Sequence, residues 1–249
     1  MRIILLLLIL ASALFSSSNI YSDSTFAVVI GSTSTAIRTG RDMSIKSTVK
    51  AGDVITQGDR IDVPAGGMVQ VAFDRDAQNV LRIEPGTSVT FEKLGPVSID
   101  ISKGKIYAFL DNKARVGEFK VLTSSSIARA YGTHFQVQSN DAVSQVLTYE
   151  GRVHVAGRDE HGKQTLDFVI LSPNEKTRIT SIHEAPNAAE DLNPTEIQEA
   201  GKIQTDIQRS RTRVKAEGLI EKAITATPST ATSTPAKPAE PKTKGELLF

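Results

Sequence analysis

Cysteine is absent from the 249 residues, so no disulfide framework, thiolate metal site or thiol nucleophile is available, and the folded part must bury a core of its own. Tryptophan is absent as well and aromatic residues make up only 5%, which argues against a ring-lined cleft for stacking sugars. An excess of one charge is also missing. Lys and Arg number 29 against 28 Asp and Glu, a formal net charge of +1, so no overall field draws the chain to nucleic acid or anionic lipid. Signatures of common chemistry are lacking too: no GxSxG elbow, HExxH pair, GxxxxGK[ST] loop or GxGxxG turn occurs. The four histidines, His134, His154, His161 and His183, are scattered without the spacing of a metal site, and no metal or cofactor is expected.

The longest uncharged, largely apolar run, Ile3 to Phe15, falls short of the ~20 residues a spanning helix needs. It follows Met1-Arg2 and precedes Ser16-Ser17-Ser18-Asn19, the order of a cleavable signal peptide, assigned to residues 1–24 with cleavage between Ser18 and Ala27. A periplasmic, secreted or cell-surface location is therefore expected, with no stable membrane span after cleavage. Between the signal and a low-complexity tail about 170 to 200 residues remain, enough for one domain.

From Phe26 to about Ile182 short runs of period two alternate with turn residues. Val97-Ser98-Ile99-Asp100-Ile101-Ser102 is the clearest, and Val69–Phe73, Phe135–Val137 and Val153–Val155 repeat the pattern. Turn signals stand at Ala65-Gly66-Gly67, Pro85-Gly86, Lys103-Gly104-Lys105, Glu150-Gly151-Arg152 and Arg158–Gly162. The expectation is an all-β domain over 26–183, a sandwich, barrel or β-solenoid of short strands. Beyond Pro194, Ile197, Ala200, Ile203, Ile207, Val214, Ile220 and Ile224 recur at helical intervals, predicting an amphipathic helix over 194–224, weakened near Gly218 and lying on the β domain. The Thr/Pro/Ala/Lys stretch 225–249 reads as a disordered tail.

Polar clusters have plain structural readings. Asp74-Arg75-Asp76 with Asn79 offers the oxygens calcium favours, but lacks the glycine and closing glutamate of a calcium loop and fits a polar hairpin turn. Asp53, Asp59, Asp62, Glu84 and Glu92 sit beside turns or strand ends, and none stands out as half of a catalytic carboxylate pair. Ser124-Ser125-Ser126 reads as a connection between strands.

The order of segments resembles the FecR domain, a periplasmic β module of bacterial envelope proteins. The likeness is carried by Val49-Lys50-Ala51-Gly52-Asp53-Val54-Ile55-Thr56-Gln57-Gly58-Asp59-Arg60-Ile61, by Leu81–Val89, and by Phe119–Thr123 followed by Ala128–Val137 and Tyr149–Val155, together spanning roughly 28–180. Ser124 replaces the family's usual proline, and Tyr131 the arginine before its Gly-Thr pair. Gly52, Asp53, Gly58, Gly86, Gly132, Thr133 and Gly151 are the turn-forming candidates. Some FecR-like regulators are thought to cut themselves at the Gly-Thr bond, which would correspond to attack of the Thr133 hydroxyl on the Gly132 carbonyl. The resemblance implies a non-catalytic binding or scaffold protein of the envelope. Its alternative is a soluble accessory of FecR-type transmembrane signalling to a sigma factor through a separate membrane partner, the helix supplying the docking surface. The expected partner is an envelope protein or cell-wall component. An enzyme acting on cell-wall polymer would instead require a deep polar cleft with converging acids.

Overall fold

A computed structural model of the chain describes residues 26–33, 35–43, 46–111 and 117–226; the expected signal peptide and the tail beyond residue 226 lie outside them. Among the described residues seventeen strands precede any helix. In chain order they are β1 (Ala27–Ser32), β2 (Ile37–Thr39), β3 (Lys46–Thr48), β4 (Val54–Ile55), β5 (Arg60–Asp62), β6 (Val69–Ala72), β7 (Asn79–Ile83), β8 (Ser88–Leu94) and β9 (Val97–Leu110). There follow β10 (Phe119–Leu122), β11 (Ser126–Ala130), β12 (His134–Asn140), β13 (Val143–Glu150), β14 (Val153–Arg158), β15 (Gln164–Leu171), β16 (Glu175–Ile179) and β17 (Glu190–Asp191).

Pairing registers sort these strands into two layers that share β9. One, the covered sheet, runs β17–β16–β13–β12–β9–β7–β6–β1–β4. The other, the open sheet, runs β3–β2–β5–β8–β9–β10–β11–β14–β15. All pairs are antiparallel except β9 with β10. The all-β sandwich of short strands followed by a C-terminal helix is the architecture found. Between the layers lies one apolar core, with Val71, Phe73, Leu81 and Phe135 of the covered sheet meeting Phe91, Ile99, Phe119 and Val121 of the open one. Phe119 packs edge-on against Phe73 and Phe135, the favoured arrangement of aromatic quadrupoles.

The Lys103-Gly104-Lys105 signal does not end a strand. Instead β9 continues for 14 residues and changes layer there: Val97–Lys103 pairs with β8, and Gly104–Leu110 pairs with β7 or β12. Gly104 has φ +98°, and a Cβ on it would lie 2.3 Å from Thr87 Oγ1 and 2.5 Å from Thr87 Cα. Only glycine fits so close an approach. The Thr87 hydroxyl locks the corner, accepting from the Lys105 N–H at 2.9 Å and donating to the Lys105 carbonyl at 3.1 Å.

Simple alternation fails in the covered sheet because both of its faces are buried. Ala27-Val28-Val29-Ile30 and Ile106-Tyr107-Ala108-Phe109-Leu110 are buried without interruption, the signature of a sheet sandwiched between layers. The second face is closed by helix α1 (Pro194–Glu217) and helix α2 (Leu219–Ala226), whose Ile203, Ile207, Val214, Ile220 and Ala223 pack on Val28, Ile30, Ala72, Val80, Tyr107 and Phe109. Asn193 caps α1 reciprocally with Glu196, Pro194 occupies the first turn, and left-handed Gly218 (φ 59°) separates the two helices.

Polar contacts fasten the helix along its length. Lys176 pairs with Glu196 at 3.0 Å, Glu199 accepts from Lys105 and from the Tyr107 hydroxyl at 2.7 Å each, Arg82 reaches Asp206 at 3.4 Å, and Arg211 reaches Asp111 at 2.6 Å. The hydrogen bond from Lys105 outweighs partial burial and holds Glu199 below the usual carboxylate range. Burial would raise Asp111, but hydrogen bonds from His134 and Arg211 and their charges prevail and lower it. Burial and the nearby acids raise Tyr107 and Tyr149, which stack with ring centroids 6.3 Å apart.

Two outcomes follow from this seam. Ile207→Ala, at a residue 1% exposed, should lower unfolding free energy by about 2–5 kcal/mol in a denaturant titration. Ile197→Ala, at 44% exposure, should change it by less than about 1 kcal/mol. Lowered Glu199 and Asp111 contribute stability above their ordinary pKa values of 4.5 and 3.8, lost as pH falls through the folded values. Raised Tyr107 and Tyr149 contribute stability below pH 10.0, lost as pH rises beyond it. Thermal melts should therefore show a plateau between those limits, and tyrosinate absorbance should develop for these two residues only as the protein unfolds.

Candidate functional site

A sheet ends in strands with unpaired backbone groups, and proteins usually blunt such edges. Among the described residues the two sheets have four edges, and three are short: β17 and β4 have two residues each and β3 has three. The fourth is β15, eight residues long, which among the described residues pairs with β14 alone. Its Val169 and Leu171 face the core. Its opposite face carries Leu166, Phe168 and Ile170, exposed at 96%, 53% and 54%. Phe168 stacks on His154 of β14, ring centroids 4.4 Å apart and 26° between planes. Burial, then the Arg129 charge, hold His154 below the usual histidine range, so the imidazole meets Phe168 uncharged near neutrality. Arg129 also hydrogen-bonds Gln164, and Glu118 gathers Lys120, Arg129 and the hydroxyl of exposed Tyr131 beside the stripe. An apolar stripe with a polar border on a free strand suits the capture of another strand: backbone bonds supply attraction and alternate side chains supply selectivity.

The sequence's acidic and serine candidates are spread over the fold and engaged in turns. Asp53 accepts from the Lys50 N–H at 2.8 Å; Asp59, 2% exposed, accepts from the Thr56 N–H at 2.7 Å and pairs with Arg38 at 2.7 Å. Asp62 pairs with Arg60 within β5, Glu84 just beyond β7 pairs with Arg82 of that strand, and Glu92 is exposed on β8. The Asp74 carboxylate, which calcium would need, is occupied by the N–H groups of Asp76, Gln78 and Asn79 at 3.0, 3.0 and 2.7 Å. Ser125 and Ser126 are buried in the β10–β11 turn, bonded to Ser144 and Thr123 at 2.9 and 2.8 Å. A cavity of about 620 Å³ beside β2 is lined by Arg38, Arg41, Asp42, Ser47, Thr56 and Asp59, and its buried acid, Asp59, is the one already paired with Arg38.

Gly132, Thr133 and Gly151 come together although 18 residues separate the ends of the set. A Cβ on Gly151 would stand 2.3 Å from Thr133 Cγ2 and 3.1 Å from the Gly132 carbonyl oxygen. Gly132 is left-handed (φ 59°), and the buried Thr133 hydroxyl has no hydrogen-bond partner among the described residues. The next residue, His134, lies between Asp111 at 2.5 Å and Glu150 at 3.0 Å, with Arg211 of α1 on the far oxygen of Asp111. This corner therefore ties β12, β13 and the helix to one another.

A family model described as FecR protein matches residues 59–154. Over that segment the chain is similar to FecR protein. The matched segment takes in the layer change of β9 and the Gly132–Thr133 corner, and it ends in β14, one strand before β15. Comparison with curated proteins found no match. Two crystal structures of a candidate anti-sigma factor from Parabacteroides distasonis resemble the fold with TM-scores of 0.44, at 17% and 16% identity, over 56% of this chain. The chain spans 62% of the length of those structures. Among the described residues, no helix is long and apolar enough to cross a membrane.

Sequence reasoning did not single out Leu166, Phe168 or Ile170. Their period of two signals a strand, but whether a strand lies at an edge is settled by pairing with distant segments. The Gly151 contact gives a sharp test. Gly151→Ala combines left-handed strain with overlap on Thr133, and overpacking alone costs about 1–3 kcal/mol. Gly86→Ala, with open space around it, carries only the left-handed cost of roughly 1–2 kcal/mol. Urea unfolding should rank Gly151→Ala clearly below Gly86→Ala.

Proposed function

We propose that this FecR-domain protein is a non-catalytic binding or scaffold module of the bacterial envelope, placed in the periplasm or on the outer surface, that engages a protein partner by strand addition to β15. The observation that carries this reading is the free eight-residue edge with Leu166, Phe168 and Ile170 exposed along it. The FecR match supports a role related to envelope signalling, and the 1–24 leader supports export. Signalling through a docked helix is less well served, because the apolar stripe of α1 is already covered by the sheet. A signalling partner would meet the molecule at β15 instead.

Site-specific photo-crosslinking in intact cells tests this. A photoreactive side chain at position 166 should give discrete higher-mass adducts, while the same group at exposed position 92 on β8 should not. Equal labelling at both positions, or none at 166, would remove β15 as the interface.

A further inference from the structure

We infer that the strand received by β15 is β15 of a second copy of this chain, giving a two-fold dimer in which the open sheets run continuously through both molecules. The inference rests on the strand-addition reading above and names its partner. A two-fold interface must be self-complementary, each residue i meeting j while j meets i. Antiparallel pairing centred on Phe168 meets that condition: Phe168 faces its own copy, and Leu166 faces Ile170 twice. All three exposed apolar side chains are then covered by one another, on the face where Phe168 already stacks with His154. On the core-side face the same register sets Asp167 opposite Val169 and Thr165 opposite Leu171, so no like charges stand directly across the junction. The two Asp167 carboxylates fall on the diagonal, roughly 7–8 Å apart, and Asp167 is exposed, where water and salt screen them.

The stripe is uncharged, so a charged strand would find nothing on it to pair with, whereas a strand of matching apolar spacing would. The chain itself supplies such a strand. A single shared edge involves far fewer than the ~20–30 residues per side of a standard stable interface. The dimer is accordingly weak and concentration-dependent, and exchange of strands leaves the edge accessible at low concentration.

Sedimentation of the full chain from about 10 µM to about 1 mM, the range in which a weak complex forms, should show the mass rising from one chain toward two. Phe168→Asp places two carboxylates on the two-fold axis and should hold the protein at one chain throughout, with a far-UV circular dichroism spectrum that shows it still folded. Leu166→Lys should do the same, while Leu166→Lys combined with Ile170→Glu, which face each other in this register, should restore the dimer. A wild-type chain that stays monomeric across the range overturns the inference, as does a Phe168→Asp variant that still dimerises; failure of the double variant to recover overturns the register. In the crosslinking experiment, adducts of twice the chain mass support the second copy. Adducts containing a different protein, with a monomeric chain in sedimentation, overturn it and leave strand addition standing; no adducts at 166 defeat both.

Discussion

Burial of the covered sheet on both faces is the constraint from which the rest of the molecule follows. Val28, Ile30, Tyr107 and Phe109 point away from the central core and would form an apolar wall in water. Helices α1 and α2 close that wall, which makes them structural members of the domain rather than an appended arm. Their attachment combines apolar contact with ion pairs at Glu196, Glu199, Asp206 and Arg211, spaced along α1 so that it is fastened to β16, to β9, to β7 and to Asp111 just beyond β9. Exposed pairs of this kind contribute little singly. Their placement fixes the helix's direction and rotation over the sheet.

Among the described residues the open sheet has no such cover, and its outer face is finished in two ways. Across β10, β11 and β14 it is polar, with Lys120, Arg129 and Glu118 tied together. At β15 it is apolar. The contrast is informative because the same chain blunts its other edges to two or three residues. A long edge with hydrophobic side chains is an aggregation hazard unless something occupies it, and that is the physical ground for reading β15 as an interface.

The Gly132–Thr133 corner links the FecR segment to the helix. Gly151 leans on Thr133, His134 bridges Asp111 and Glu150, and Arg211 connects Asp111 to α1. The blocks that carry the family resemblance thus meet in space, and the helix, outside the matched segment, is anchored to that meeting point.

By itself the sequence determined what local chemistry decides. Period-two runs such as Val97–Ser102 specify strands, the apolar spacing of Ile197, Ala200, Ile203 and Ile207 beyond Pro194 specifies a helix, and Gly218 specifies its interruption, since each rests on side-chain spacing or backbone angles within a few residues. The tertiary structure decided everything that depends on which strands become neighbours. Gly104 reads locally as a turn, yet it is the point where one strand passes between layers, because its constraint comes from Thr87. Likewise Leu166, Phe168 and Ile170 read as any half-buried strand; they become a surface because pairing stops at β15, and strand order is set by contacts between residues far apart in the chain.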